Sequence, residues 1–118
     1  MIAGYASVTY NQNMLFVETP LFTRLIADLM PDEDYRLLQR ALMIRPEAGD
    51  LIPGGGGLRK MRWGLPGRGK RGGLRIIYYW DVPADRIYLL LPYSKSQQGD
   101  LTPAQVKVLR QLVKEWLE

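Results

Sequence analysis

Seven lysines and arginines, with no acidic residue among them, lie between positions 51 and 80 of this 118-residue chain. They are Arg59, Lys60, Arg62, Arg68, Lys70, Arg71 and Arg75. A solvated surface usually mixes charges of both signs, so a segment that carries only positive charge favours the binding of a polyanion. The backbone phosphates of RNA are such a partner, and we expect this segment to hold them.

The chain has neither histidine nor cysteine. Their absence excludes a disulfide framework and a thiolate metal site, and it removes the usual zinc ligands and the usual acid or base near neutral pH. Catalysis would have to use carboxylates, amines, guanidinium groups, hydroxyls or phenols. We therefore expect neither a metal nor a cofactor.

Nine of the twelve glycines fall between positions 54 and 73. Residues 64–73 are predicted to form a glycine-rich loop that presents Arg68, Lys70 and Arg71. Part of this segment has GxGxxG spacing, but it leads into a predicted strand rather than a helix, and no Lys-Ser or Lys-Thr pair completes a P-loop. A turn between two paired strands is the better interpretation.

Three segments around this loop have the pattern of β-strands. Residues 58–63 alternate in polarity, residues 74–80 are rich in aliphatic and aromatic side chains, and residues 87–93 read as a buried strand. Short connections between them predict an antiparallel meander. Such a meander brings Lys60, Arg62 and Arg75 to one end of the sheet.

Helix signals flank these strands on both sides. Thr19 followed by Pro20 predicts an N-cap and first turn after a short strand, and three acidic residues at 32–34 suit the start of a second helix. The last helix has a capping box formed by Thr102 and Gln105. Helices are thus predicted on both sides of these strands in the sequence.

The chain is long enough for one domain, which we assign to residues 14–118. Residues 1–13 have no periodicity, and we expect them to form an ill-ordered extension upstream of an alternative start at Met14. No apolar run approaches the roughly 20 residues of a membrane span. We expect a cytoplasmic protein.

Taken in order, six short motifs resemble the RelE/HigB group of ribosome-dependent, mRNA-cleaving toxins from bacterial type II toxin–antitoxin systems. They are FVE at 16–18, GLRKMR at 57–62, GRGKRGG at 67–73, RIIYY at 75–79, YSK at 93–95 and DLT at 100–102. The long basic loop is most similar to that of the HigB branch. The resemblance implies a RelE/ParE-like α+β fold, with two N-terminal helices and a C-terminal helix around a small antiparallel sheet of three to four strands.

The resemblance also implies cleavage of mRNA in the ribosomal A site, without metal, by attack of a ribose 2′-hydroxyl on the adjacent phosphate. The catalytic candidates are Arg62, Lys70, Arg75 and Lys95. The RNA-binding candidates are Arg59, Lys60, Arg68, Arg71 and Tyr93. Arginines are chosen to hold the scissile phosphate because a guanidinium group makes bidentate contacts with it.

The proton-transfer roles stay open. Related toxins often use a lysine as base where this chain has Arg62, so Lys70 and Lys95 are the alternatives, because a lysine held among like charges loses its proton more readily. The arginine that acts as acid in some relatives corresponds here to Ser96. Acid and base are therefore not assigned separately.

Two other functions share the same basic surface. One is a noncatalytic RNA- or ribosome-binding module, and the other is a toxin of the ParE branch, which acts on gyrase. The resemblance further implies a cognate antitoxin of the HigA type with a helix-turn-helix domain, besides the ribosome and mRNA as partners.

Overall fold

The computed structural model describes residues 7–11, 14–65 and 69–117, with side chains for residues 14–64 and 73–117. Its elements are β1 (Ser7–Asn11), β2 (Met14–Glu18), α1 (Pro20–Leu29), α2 (Asp32–Ile44), β3 (Asp50–Leu51), β4 (Leu58–Leu65), β5 (Gly69–Asp81), β6 (Arg86–Ser94) and α3 (Pro103–Leu117). The predicted α+β class, with two helices before the central strands and one after them, is confirmed. None of the described helices is long and apolar enough to cross a membrane.

The sheet is larger than the sequence predicted, and it is mixed. Its strand order is β1-β2-β6-β5-β4-β3, and β4, β5 and β6 form the expected antiparallel meander. However, β2 pairs in parallel with β6, with Phe16 opposite Ile87. The expected small antiparallel sheet of three to four strands is therefore extended by the parallel pairing of β2 with β6 and by the outer strands β1 and β3. Pairing between segments so distant in sequence leaves no local signal.

The predicted loop over residues 64–73 is shorter in the structure. Strand β4 continues to Leu65 and β5 begins at Gly69, which is paired with Leu65 after a register shift that follows Trp63. Pairing with a neighbouring strand keeps these glycine-rich segments extended despite their low intrinsic β-propensity. Residues 66–68, which include Arg68, lie outside the described residues.

The segment before Met14 also contains a strand. Ser7–Asn11 forms β1, which pairs antiparallel with β2 at the edge of the sheet. Residues 1–6 and 12–13 lie outside the described part of the chain. The division at residue 14 and the alternative start stay predictions.

Each face of the sheet has its own apolar core. On one face, Phe22 and Ile26 of α1 and Leu38 and Leu42 of α2 pack against sheet residues such as Ile76. On the other face, α3 packs through two buried residues, Val113 and Trp116. The fold is therefore a sheet between two helical layers, and alternation along each strand decides which layer a side chain meets.

Helix α1 begins at a cap with two buried hydrogen bonds. The Oγ1 of Thr19 accepts from the amide of Phe22 at 2.9 Å and donates to the carbonyl of Leu90 in β6 at 2.9 Å. We expect Thr19→Ala to lower the free energy of unfolding by about 1–2 kcal/mol, because it removes an N-cap and leaves a buried carbonyl without its donor. Urea unfolding followed by circular dichroism measures this loss.

Thr102→Ala is the matched control. Thr102 also caps a helix, through its Oγ1 and the amide of Gln105 at 3.1 Å, but it is exposed. Its loss should be clearly smaller than that of Thr19→Ala. Equal losses would contradict the structural importance of the bond from Thr19 to Leu90.

A buried carboxylate ties the first strand of the core to both N-terminal helices. Glu18 is 5% exposed and accepts from the hydroxyl of Thr23 at 2.6 Å and from the hydroxyl of Tyr35. Burial raises the pKa of the Tyr35 phenol, and the hydrogen bond to Glu18 raises it further. Tyr35 therefore stays protonated as the donor, which fixes α2 against β2 and α1.

Candidate functional site

Two arginines and a tyrosine form a row across the three central strands, which we call the cationic row. In the antiparallel register, Arg62 of β4 lies directly opposite Arg75 of β5, and Arg75 lies directly opposite Tyr93 of β6. Directly opposed residues have their side chains on the same face, with Cβ atoms about 4.5–5.5 Å apart. This face is the one covered by α3, since Tyr93 belongs to the apolar cluster of that helix.

The three members of the cationic row differ in their access to solvent. Arg62 is exposed, whereas Arg75 is 4% exposed and Tyr93 is 6% exposed. Arg75 donates to the carbonyl of Leu74 at 3.4 Å, and the Tyr93 hydroxyl donates to the carbonyl of Gly99 at 3.4 Å. Arg62 thus presents its charge to solvent, beside the buried charge of Arg75.

The phenol of Tyr93 is a hydrogen-bond donor rather than a base. Burial is the largest influence and raises its pKa, Asp100 raises it further, and only Arg75 acts to lower it. A phenol with a raised pKa remains protonated near neutral pH. Tyr93 therefore stays protonated as the donor to the carbonyl of Gly99.

Lys60 extends the positive charge along β4, two residues before Arg62 and on the same face. Its Nζ contacts the Oδ1 of Asp100 at 3.0 Å, with 25% of the lysine side chain and 84% of the aspartate side chain exposed. The hydrogen bond and charge of Lys60 lower the pKa of Asp100, with smaller contributions from Arg75 and Lys95. Asp100 is therefore a charged carboxylate beside the cationic row.

Sequence reasoning did not select Asp100. It concentrated on residues 51–80, which contain no acid, whereas Asp100 comes from the segment between β6 and α3. The only available signal was its position in the DLT motif at 100–102. Nothing in that motif indicates that its carboxylate reaches the lysine of a distant strand.

Lys95, a predicted catalytic residue, follows β6 and is exposed. Its backbone amide donates to the carbonyl of Gly73 at 3.3 Å, which keeps the end of β6 against β5. Its charge reaches the site, because it contributes to lowering the pKa of Asp100. The structure therefore brings Lys95 towards the same region as Lys60 and Arg75.

Arg59 is placed on the opposite face of the sheet. Its guanidinium donates to the carbonyl oxygens of Gly49 at 2.8 Å and Glu47 at 3.2 Å. Tyr78, which is paired with Arg59, binds the same segment through its hydroxyl and the amide of Gly49 at 2.8 Å. Arg59 thus holds the connection between α2 and β3, apart from the cationic row.

The remaining candidates lie in or beside the glycine-rich segment. The backbones of Lys70 and Arg71 belong to β5, but the structure does not describe their side chains. Arg68 lies outside the described residues altogether. Their assigned roles stay predictions.

A pocket of about 540 Å³ adjoins the cationic row. It lies between β4, the segment after β3 and the start of α3, and Lys60 and Arg62 line it. Its other lining residues are Asp50, Leu51, Ile52, Pro53, Gly54, Asp100, Leu101, Pro103, Val106, Lys107 and Arg110. Apolar side chains thus share this pocket with charges of both signs.

The glycine turn before β4 forms one wall of the pocket and is held in place. Gly54 and Gly57 have positive φ of 71° and 107°, and a Cβ at Gly57 would lie 2.7 Å from the ring of Tyr79. Arg110 of α3 donates to the carbonyl of Gly54 at 3.2 Å. Glycine is therefore needed at position 57, both for the backbone conformation and for the close approach of Tyr79.

The other wall is positioned by the capping box at the start of α3. The amide of Thr102 donates to the Oε1 of Gln105 at 2.9 Å, in return for the bond from the amide of Gln105. Leu101 and Val106, which flank the cap, both pack against the α3 cluster, as in a hydrophobic staple. The sequence signals at this helix start are confirmed.

The fold and the cationic row define a small α+β protein with a positively charged surface between its sheet and its last helix. A family model described as the RelE toxin of the RelE/RelB toxin–antitoxin system matches residues 33–118, a span that includes the row and its pocket. The chain belongs to this family of toxins. It is thus the toxin of a toxin–antitoxin pair, and an antitoxin is its partner. The resemblance to RelE toxins is confirmed, and assignment to the HigB branch stays a prediction.

Proposed function

We propose that this toxin is a HigB-like, ribosome-dependent endoribonuclease that cleaves mRNA in the A site and so inhibits translation in the cytoplasm. The observation that carries the proposal is the direct pairing of Arg62 with Arg75 on the face that also holds Tyr93. Two guanidinium groups on one face of the sheet concentrate positive potential there. An RNA phosphate is attracted to such a surface, and the exposed Arg62 can contact it directly.

The row offers what a phosphate in the transition state of RNA cleavage needs. The negative charge on its oxygens is stabilised by donors that are already in place, and a guanidinium can contact two oxygens at once. Here the donors project from a sheet with fixed register, so little reorganisation is required. Arg62 would bind the scissile phosphate directly, while Arg75 and Lys60 would add positive potential from below and beside it.

The proposed reaction is an in-line attack. The ribose 2′-oxygen forms a bond to phosphorus as the bond from phosphorus to the 5′-oxygen breaks, which gives a 2′,3′-cyclic phosphate and a 5′-hydroxyl. The 2′-hydroxyl proton passes to a base, and the 5′-oxygen gains a proton from an acid. Lys70 and Lys95 are the proposed proton-transfer residues, and Tyr93 orients the substrate through its protonated phenol.

One observation favours the noncatalytic alternative. Arg75 is 4% exposed, so its guanidinium would reach a phosphate only if the neighbouring side chains moved. A module that merely binds RNA or the ribosome needs only the exposed cations such as Arg62. Whether the RNA is cut or intact after contact with the toxin therefore distinguishes the two functions.

The test is a reconstituted translation reaction with purified toxin and a defined mRNA. We expect cuts within translated codons and fragments that end in a 2′,3′-cyclic phosphate. Stalled ribosomes on intact mRNA would favour the noncatalytic module, and gyrase inhibition with intact mRNA would favour a ParE-like toxin.

The proposed partner is an antitoxin of the HigA type with a helix-turn-helix domain. Expression of the toxin alone should arrest growth, and co-expression of the neighbouring gene should relieve the arrest. Arrest that the neighbouring gene does not relieve would contradict this assignment of the partner.

A further inference from the structure

The pocket beside the cationic row is larger than a phosphate site requires, and most of its floor is not cationic. We propose that it binds the base of a nucleotide next to the scissile phosphate and thereby contributes to the choice of cleavage site. This inference rests on the proposed function, because it takes the RNA phosphate to lie at Arg62. It assigns a role to residues of α3 and of the segment after β3 that the cleavage chemistry does not use.

Continuity with the cationic row is the first argument. Lys60 and Arg62 line the pocket, and Arg62 is also the exposed member of the row. The base and the phosphate of one nucleotide are joined through a single ribose. A phosphate held by Arg62 therefore directs a neighbouring base either into this pocket or out to solvent.

The apolar floor is the second argument. Leu51 is 60% exposed, and Ile52, Leu101 and Val106 are only partly buried around it. Covering such surface with the flat face of a base removes it from water, which is favourable. Binding pockets for small groups typically combine an apolar lining with a few polar side chains.

The polar rim is the third argument, because it offers both hydrogen-bond acceptors and donors. Asp50 and Asp100 supply carboxylate oxygens, and Lys60 and Arg110 supply N–H groups. The edge of every base presents donors and acceptors side by side, and single-stranded RNA is read through such edges once its bases are unstacked. A site for phosphate alone would gain nothing from two carboxylates, which repel it.

The pocket is also built before any ligand arrives. Arg110 fixes the glycine turn through the carbonyl of Gly54, and the capping box of Thr102 and Gln105 fixes the start of α3. A preformed pocket loses little conformational entropy when it is filled. A volume of about 540 Å³ beside the exposed Arg62 suits one base joined to a bound phosphate.

The test uses a matched pair of substitutions on α3. Val106→Phe fills the pocket, whereas Val108→Phe makes the same change two residues later at a side chain that is 66% exposed and does not line it. The probes are a short single-stranded RNA with a 2′-O-methyl group at the cleavage position, which prevents cutting, and the same RNA with one base removed. Binding is followed by NMR titration of the isotope-labelled toxin.

We expect removal of one particular base to weaken binding to the wild-type toxin about tenfold, because the apolar surface that the base covers returns to water. Val106→Phe should show the same weakening with the complete RNA and no further loss with the abasic RNA, and Val108→Phe should behave as wild type. With the complete RNA, the amides of Ile52, Leu101 and residue 106 should shift. The abasic RNA should leave them unchanged.

The inference is overturned if base removal at every position leaves wild-type binding unchanged, or if Val106→Phe binds RNA normally. It is also overturned if Val106→Phe weakens the binding of the antitoxin but not the binding of RNA, since an acidic peptide would then occupy the pocket. Base-dependent binding without cleavage on the ribosome would contradict the proposed function and leave the pocket assignment standing. Cleavage on the ribosome together with binding that depends on no base would support the proposed function and overturn the pocket assignment.

Discussion

Arg62→Ala is expected to reduce the rate of mRNA cleavage on the ribosome by about 100- to 1,000-fold, the loss typical of removing one preorganised donor from a transition-state charge. Arg62 is the exposed member of the cationic row, and it lies directly opposite Arg75. The side chain of Arg62 is exposed, so the fold should be retained. The rate is measured in single-turnover reactions with stalled ribosomes.

Two further variants of exposed arginines sharpen this prediction. Arg40→Ala removes an exposed arginine from α2, on the other side of the sheet, and should leave the rate unchanged. Arg62→Lys keeps the charge but not the planar fork, so it should retain an intermediate rate. If Arg62→Ala cleaves as fast as the wild type, Arg62 does not hold the scissile phosphate.

Trp116→Ala should have the largest effect on stability, with a loss of about 3–5 kcal/mol in the free energy of unfolding. Trp116 is 6% exposed and packs its ring against that of Tyr88, with centroids 4.9 Å apart. Together with Val113 it forms the buried contact of α3 with the sheet. Urea unfolding monitored by circular dichroism measures the change.

Leu117→Ala is the control for this substitution. Leu117 follows Trp116 on the same helix but is 42% exposed, so its loss should be within about 1 kcal/mol of the wild type. Because α3 forms a wall of the pocket, Trp116→Ala should also impair RNA binding at temperatures where the remainder of the sheet is still folded. Similar stabilities of the two variants would contradict the packing of α3 described here.

Local signals predicted much of the fold. The cap at Thr19, the capping box of α3 and the alternation in residues 58–63 each depend on interactions within a few residues of chain. For the same reason, the extent of β4 and β5 was underestimated. Pairing between strands extends them into glycines that have little tendency to form strands on their own.

The candidate site was predictable only in part. Concentrated positive charge identified Arg62, Arg75 and Lys60, and alternation correctly suggested that strands would bring them together. Alternation also sends Arg59 to the other face, where it binds backbone carbonyls. The contacts of Arg59 with these carbonyls depend on where the segment after α2 passes, and no pattern within β4 specifies that path.

The pocket, and the position of Asp100 beside Lys60, could not have been predicted from the sequence. Both arise where three separate segments meet: the turn after β3, strand β4 and the start of α3. The contact between Lys60 and Asp100 joins residues far apart in the chain, and it depends on where the segment between β6 and α3 passes relative to β4. Charge and periodicity describe single segments and carry no information about how two distant segments meet.

The central claim is that the toxin cleaves mRNA through the ribose 2′-hydroxyl. The most direct measurement maps the cleavage site on a defined ribosome complex, and then replaces the nucleotide on its 5′ side by its 2′-deoxy form. We predict cleavage of the ribose-containing mRNA, with a 2′,3′-cyclic phosphate end, and no cleavage at that position in the deoxy-substituted mRNA. Cleavage of both mRNAs at equal rates, or intact ribose-containing mRNA under conditions where the toxin stops translation, would contradict the account.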